Sequence, residues 1–527
     1  MPKPSAASAR KSAPRSATRS ATRSGPVRVA IVGTGFSGLG MAIRLKQAGV
    51  EDFVVLEKAA DVGGTWRDNH YPGCACDVQS HLYSFSFEPN PGWSRMFSPQ
   101  PEIWNYLRHC ADKYGIRPHI RFNAEVTTAK WDEKASVWRL KTADGGQLSA
   151  KVLVSGMGGL SRPAYPEGIK GLEKFKGRSF HSQQWDHDYD LAGKRVAVIG
   201  TGASAIQFVP QIQKEVARLD LYQRTPPWIV PKPDRSIGAF EHRLFKSLPL
   251  SQRLFRGAIY WMLEARALGF TVSPRLMKLV QVEGVRHIHR HIKAPELRAR
   301  LTPKYTIGCK RVLISDDYYP ALAQPNVEVI DSGIREVRAH GIVGTDGKER
   351  AVDAIIYGTG FHATDPMPRG MLFGRDGVDL VDAWKDGPEA YKGTTVAGFP
   401  NLFILMGPNT GLGHNSMVYM IESQVKYVLD ALRQMDAQGL RSVDVKPEVQ
   451  AGFNSTLQKQ LGHTIWNTGG CNSWYLHPSG KNTTLWPGFT FRFRRLVSRF
   501  DLASYTAQDE RAAPAQGRRA KLAAGAA

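Results

Sequence analysis

Cysteine is scarce in this chain, with only Cys74, Cys76, Cys110, Cys309 and Cys471 among 527 residues. Scattered in this way, they match neither the framework of a disulfide-stapled domain nor the ligand spacing of a zinc site, so no metal is expected and the setting is read as reducing and cytoplasmic. The Cys74-Ala-Cys76 pair is closer spaced than that of a disulfide oxidoreductase and reads as structural. Long apolar runs are missing as well. The best one, Ala258-Ile-Tyr-Trp-Met-Leu, is soon followed by Glu264 and Arg266, which suits a buried helix segment and not a membrane span.

Acids are absent from the first 28 residues, which carry Lys3, Arg10, Lys11, Arg15, Arg19, Arg23 and Arg28. Such a segment has too little apolar surface to order itself. It has no apolar stretch of a secretory signal, although its Arg/Ser/Ala bias resembles an organelle transit peptide. Residues 1–26 are read as a basic tail and 501–527, rich in Ala and Arg, as a C-terminal one. The net charge of +23 admits a nucleic-acid or anionic-membrane footprint, but tails and nucleotide phosphates account for it more simply. The whole chain, 42% hydrophobic and 22% charged, has the balance of a globular protein too long for a single core.

Glycine is where the chemistry begins. Residues 27–38 read as a buried strand running into Gly33-x-Gly35-Phe36-Ser37-Gly38, with a helical pattern after it. Glycines at this spacing allow the tight turn and let a dinucleotide pyrophosphate approach the helix N-terminus. A second strand, Phe53-Val-Val-Leu, ends in Glu57, nineteen residues past Gly38, where an acid hydrogen-bonds ribose hydroxyls. The pattern recurs as Gly200-Thr201-Gly202-Ala203-Ser204-Ala205. Here the matching position, nineteen residues past Ala205, is Arg224, followed by Thr225. A cation there pairs with a 2′-phosphate, so this half is expected to choose NADPH over NADH. Two dinucleotides on one chain imply electron traffic between them.

Residues 63–77, Gly-Gly-Thr-Trp-Arg-Asp-Asn-His-Tyr-Pro-Gly-Cys-Ala-Cys-Asp, match the Gly-Gly-x-Trp…Tyr-Pro-Gly-x-x-x-Asp signature of Baeyer–Villiger monooxygenases. Phe175-x-Gly177-x-x-x-His181-x-x-x-Trp185 resembles their fingerprint, with Asp186 where many members have Pro. Trp185 favours this branch over the N- and S-oxygenating flavin monooxygenases, which usually end the pattern in Phe or Tyr. Lys310-Arg311 followed by Asp316-Asp-Tyr-Tyr319 is similar to a further family segment, as are Asp353–Phe361, with Gly358 for the usual Ala, and Gly407-Pro-Asn-Thr-Gly-Leu-Gly. The resemblance spans about residues 27–500.

This resemblance implies FAD in the first half and NADPH in the second. It also implies a flavin-bound peroxide that attacks a ketone and yields an ester or lactone; oxygenation of amines or sulfides is the alternative. By the same resemblance Arg311 is the stabiliser of negative charge and Asp77 its partner near the flavin. Gly64, Thr65, Trp66, Tyr83, Val126 and Asn409 are expected to contact FAD. Lys310 is expected to join Arg224 on the 2′-phosphate, His181 to couple the domains, and Trp185 to anchor them. Trp474, in Asn472-Ser-Trp-Tyr, is either part of a loop over NADP⁺ or an ordinary core residue. A disulfide reductase has the same two halves but needs a redox cysteine pair, and none here is suitably placed.

The fold class expected is α/β, with two Rossmann-like dinucleotide domains and a helical insertion. The boundaries expected are 27–160 and 385–500 for FAD, 161–235 and 306–384 for NADP, and 236–305 for the insertion. The expected partners are a small ketone, O₂ and NADPH, with no nucleic acid.

Overall fold

The computed structural model describes residues 25–363, 367–471 and 473–509, so the basic stretch 1–24 lies outside it. Val27–Val32 is almost wholly apolar because it runs through the middle of a sheet covered on both faces. It pairs in parallel with Phe53–Leu56 on one side and Gln147–Ser155 on the other. The eight-stranded sheet continues outward to Ile120–Arg121 past Phe53–Leu56, and to Val137–Thr142, Val126–Asp132 and Leu372–Phe373 past Gln147–Ser155. Gln147–Ser155 divides its pairing. Its first half binds Val137–Thr142 in antiparallel register and its last three residues take Leu402–Ile404 in parallel. The C-terminal part of the chain thereby returns to the first sheet.

A second sheet of five strands is parallel throughout, in the order Val327–Ile330, Arg218–Tyr222, Arg195–Ile199, Ala354–Tyr357 and Arg178–His181. In both sheets the first glycine turn follows the strand next to the point where strand order reverses, which is where α/β proteins hold ligands. Between Tyr222 and Leu313 the chain forms helices Ala239–Ser247, Pro249–Glu264, Met277–His291 and Pro295–Leu301. The doubly wound α/β class expected from the sequence is the one observed.

Two expectations are corrected. Cys309 and Cys471, 162 residues apart, have Cα atoms 6.2 Å from each other and form a disulfide. Scatter along the sequence says nothing about distance in space, and folding brings the stretch 306–311 against Gly469, Cys471 and Tyr475. The stretch read as a C-terminal tail also begins with ordered structure. Tyr505–Asp509 pairs with Leu440–Val445, because Tyr505 is buried with its hydroxyl bonded to Thr395 and Tyr427. A single buried aromatic outweighed the polar composition around it.

Candidate functional site

Gly33 has φ +98°, and a Cβ on Gly38 would stand 1.9 Å from the Gly33 carbonyl oxygen, so neither position tolerates a side chain. Helix Phe36–Gln47 starts at this turn with no side-chain cap and no acid in its first turn. Its leading N–H groups therefore present positive charge to whatever lies against the glycines. Ser37 is buried in that first turn. Gly64 folds onto the same place, since a Cβ there would come within 2.9 Å of the Gly35 Cα.

Glu57 is buried beside this turn. It accepts from the Thr34 N–H and the Ala59 N–H, each at 3.0 Å, and pairs with Arg67 at 3.1 Å. The short helix Thr65–Asp68 carries Trp66, whose Nε1 donates to the Tyr83 hydroxyl at 3.1 Å while Phe36 meets the Tyr83 ring edge-on. Val126 is buried at the start of its strand. Asn409 sits at φ +57° and donates through Nδ2 to the carbonyls of Asn482 and Leu485; its Oδ1 is buried without a hydrogen-bond partner. An orphaned buried acceptor of this kind suits a ligand N–H. Together with the side-chain-free turn, it fits a flavin dinucleotide.

The second turn repeats the first in its physics. Gly200 has φ +109°, and a Cβ on it would press to 2.4 Å from the Gly358 carbonyl oxygen. Helix Ala205–Ile212 also begins without a side-chain cap at Ser204. Gly202 and Ala203 are exposed, and the Thr201 hydroxyl donates to the Thr225 carbonyl at 3.4 Å. Arg224, just past strand Arg218–Tyr222, is exposed. Lys310 is brought close enough to feel it: burial first, then the Arg224 charge, hold the ammonium below its usual pKa. Two cations assembled in this way at the end of a dinucleotide turn fit a phosphate.

Arg311, the next residue, donates from Nε to Asp77 at 3.0 Å, and its Nη2 bonds the same oxygen. The Asp77 carboxylate raises the guanidinium pKa further above its ordinary value. The Arg311 side chain is 40% accessible, so its guanidinium can still meet a ligand. Tyr475 was not singled out in the sequence. It is buried and faces both members of the pair, and burial holds its hydroxyl protonated, with a pKa pushed up to about 12. Its neighbour Trp474 is 49% exposed, so it is no core residue; its ring lies 4.6 Å from that of Tyr475. Asn472 lies outside the described residues.

The fingerprint binds the two halves together. Gly177 has no room for a Cβ, which would stand 2.4 Å from the Asp353 carbonyl oxygen and against the Phe175 ring. His181 is fully buried, accepts from the Gln183 N–H at Nδ1, and packs against Tyr165 and Phe361. Burial lowers its pKa to about 4, so the ring is neutral near neutrality. Trp185 touches Phe180 and Phe208, and Phe208 meets Tyr71 of the Tyr-Pro-Gly signature. Gln207, two residues into the second helix, bonds the Tyr71 hydroxyl and both the N–H and carbonyl of Ala75. It too was missed, since nothing marks a glutamine that reaches across halves. Cys74 and Cys76 are free, buried thiols with pKa values pushed up, Cys74 to about 12, as structural cysteines require.

The profile of the flavin-binding monooxygenase-like family matches residues 26–370. A Baeyer–Villiger monooxygenase of Pseudomonas aeruginosa is 64% identical over 479 residues, 91% of either chain. Another, of Streptomyces coelicolor, is 53% identical over 93% of this chain and 94% of that one. Among solved structures, a steroid monooxygenase bound to NADP superposes with a TM-score of 0.81 at 29% identity, covering 92% of this chain and all of that chain. The OTEMO complex with FAD and NADP gives 0.81 at 27%, covering 92% and 99%.

Proposed function

The chain belongs to the flavin-binding monooxygenase-like family, among its Baeyer–Villiger monooxygenases, and from that premise we propose that it uses NADPH and O₂ to insert one oxygen atom beside a ketone carbonyl, giving an ester or lactone. FAD, when bound, supplies the redox chemistry by accepting electrons from NADPH and activating dioxygen. The chain's own part is to hold, orient and protect. The turn at Gly33, Gly35 and Gly38, with Gly64, Thr65 and Trp66, receives the FAD pyrophosphate and ring system, and Glu57 takes the ribose. Gly200, Gly202 and Ala205 receive NADPH; Arg224, Lys310 and Thr225 clamp its 2′-phosphate. Arg311 stabilises the negative charge that gathers on the substrate carbonyl oxygen as it is attacked, where a permanently protonated, multi-donor group is suited to the work. Asp77 positions Arg311 and tempers its charge. His181 and Trp185 transmit the relative placement of the halves and touch no substrate. Trp474 closes over the nucleotide and excludes water.

The observation that carries this reading is the continuity of Lys310 and Arg311. One faces Arg224 of the second nucleotide turn and the other Asp77 of the first-half signature, so nucleotide clamp and charge stabiliser belong to one piece of backbone. Purified protein, supplied with NADPH under air and offered cyclic ketones of graded size beside a thioether, tests it. Lactone formed in step with NADPH consumption is expected. Sulfoxide without lactone would favour the amine- and sulfide-oxygenating branch, and a protein that takes up no FAD would remove the premise.

A further inference from the structure

Helix Pro249–Glu264 has two apolar faces where folding needs one. Ile259 and Leu263 are buried, while Leu250, Leu254, Ala258, Trp261 and Ala265 are exposed, and the turn beyond continues the row with Leu268 and Val272. Within the helix the spacings are three or four residues, so Leu250, Leu254, Ala258 and Trp261 form one stripe along it, and the wider turn Leu268–Val272 adds its exposed ends. Leu254 is 67% exposed, Trp261 62% and Val272 63%. Phe491 stands beside Trp261, with ring centroids 6.1 Å apart, and stacks on Phe489. A contiguous outward row of this kind is not the scattered apolar residue that any surface shows.

The insertion that carries it is cationic. Residues 239–292 hold nine Lys and Arg against three Glu. Of the acids, Glu264 is buried on Asn415 and Thr490, Glu241 is held by both Nη atoms of Arg235, and Glu283 faces Arg286 at 3.9 Å. Arg253, Arg275, Lys278 and Arg286 are exposed.

We propose that this stripe is a docking surface for an anionic phospholipid bilayer, the apolar row entering the headgroup boundary and the cations meeting lipid phosphates. Contact is peripheral, since among the described residues no helix is long and apolar enough to cross a membrane. A second copy of the chain fits worse, because a two-fold contact would set these cations against themselves. A nucleic acid would use the cations and leave the leucines in water.

The test takes full-length, FAD-loaded protein and sucrose-filled vesicles of phosphatidylcholine alone or mixed with phosphatidylglycerol. Co-sedimentation with the anionic vesicles is expected, about tenfold stronger than with the neutral ones and weakened by salt. The variant Leu254→Ser/Trp261→Ser/Val272→Ser should lose it while keeping bound flavin and turnover of a water-soluble cyclic ketone. Arg253→Gln/Lys278→Gln/Arg286→Gln should bring the two vesicle types closer, and covers the case in which the serine variant fails to fold. Binding that survives the serine substitutions in a folded protein would overturn the proposal, as would indifference to lipid charge or no binding at all. Sedimentation velocity that finds a dimer broken by the same substitutions would assign the stripe to a subunit contact instead.

Discussion

Arg311 is partly accessible, and its only close carboxylate is Asp77 among the described residues. A guanidinium so placed carries charge that a neutral replacement cannot supply. Arg311→Ala is expected to keep the flavin absorbance and lower ester formation by about 10²–10³-fold, the loss typical of removing one preorganised donor; product analysis beside a flavin spectrum decides it. Arg224→Ala is expected to raise the KM for NADPH about tenfold and leave that for NADH nearly unchanged, because only the 2′-phosphate loses a charge-assisted bond. Equal damage to both coenzymes would remove Arg224 from that phosphate. Both residues were legible in the sequence, Arg224 by its spacing from the glycine turn and Arg311 by resemblance. Tyr475 and Gln207 were not, because their importance comes from what they touch across the fold, and neither residue type signals that.

Gly469, Cys471 and Tyr475 meet the stretch 306–311 from far along the chain. The disulfide from Cys471 to Cys309 fastens the later residues next to Lys310 and Arg311, and Tyr475 lies against Arg311 and its partner Asp77. In denaturant without reductant, three thiols should therefore react, those of Cys74, Cys76 and Cys110, and five after reduction. Five before reduction would show that the bond is absent. Cys471→Ser is expected to loosen the exposed Trp474 and so increase the NADPH consumed without product, measured as released hydrogen peroxide; the cause is a longer free loop over the nucleotide. The two glycine-turn units were readable because their backbone requirements are local. The cysteine pairing was not, since 162 residues separate its partners.

Across the whole molecule, three buried histidines share one behaviour. His81, His181 and His414 each have a pKa lowered to about 4, burial being the main cause. The unfolded chain takes up protons at these rings near pH 6.5 and the folded one only near 4, so the unfolded state binds more protons in between. Stability from these groups is thus complete above about pH 6.5 and falls as the pH drops toward 4. A melting temperature that declines over this window is expected; one flat from pH 7 to 4.5 would contradict the buried neutral rings. At this scale the division of labour is clear. Glycine turns, the acid at Glu57 against the cation at Arg224, and apolar strand runs are short-range demands of backbone geometry and charge, so the sequence alone determined two nucleotide units and carried the expectation of which nucleotide each prefers. The Cys309–Cys471 bond, the contact of Tyr475 with the Asp77–Arg311 pair, the last strand Tyr505–Asp509 and the outward stripe from Leu250 to Val272 were decided only by tertiary structure. Each depends on which distant surfaces are brought into contact or left in water, and chain separation carries no record of that.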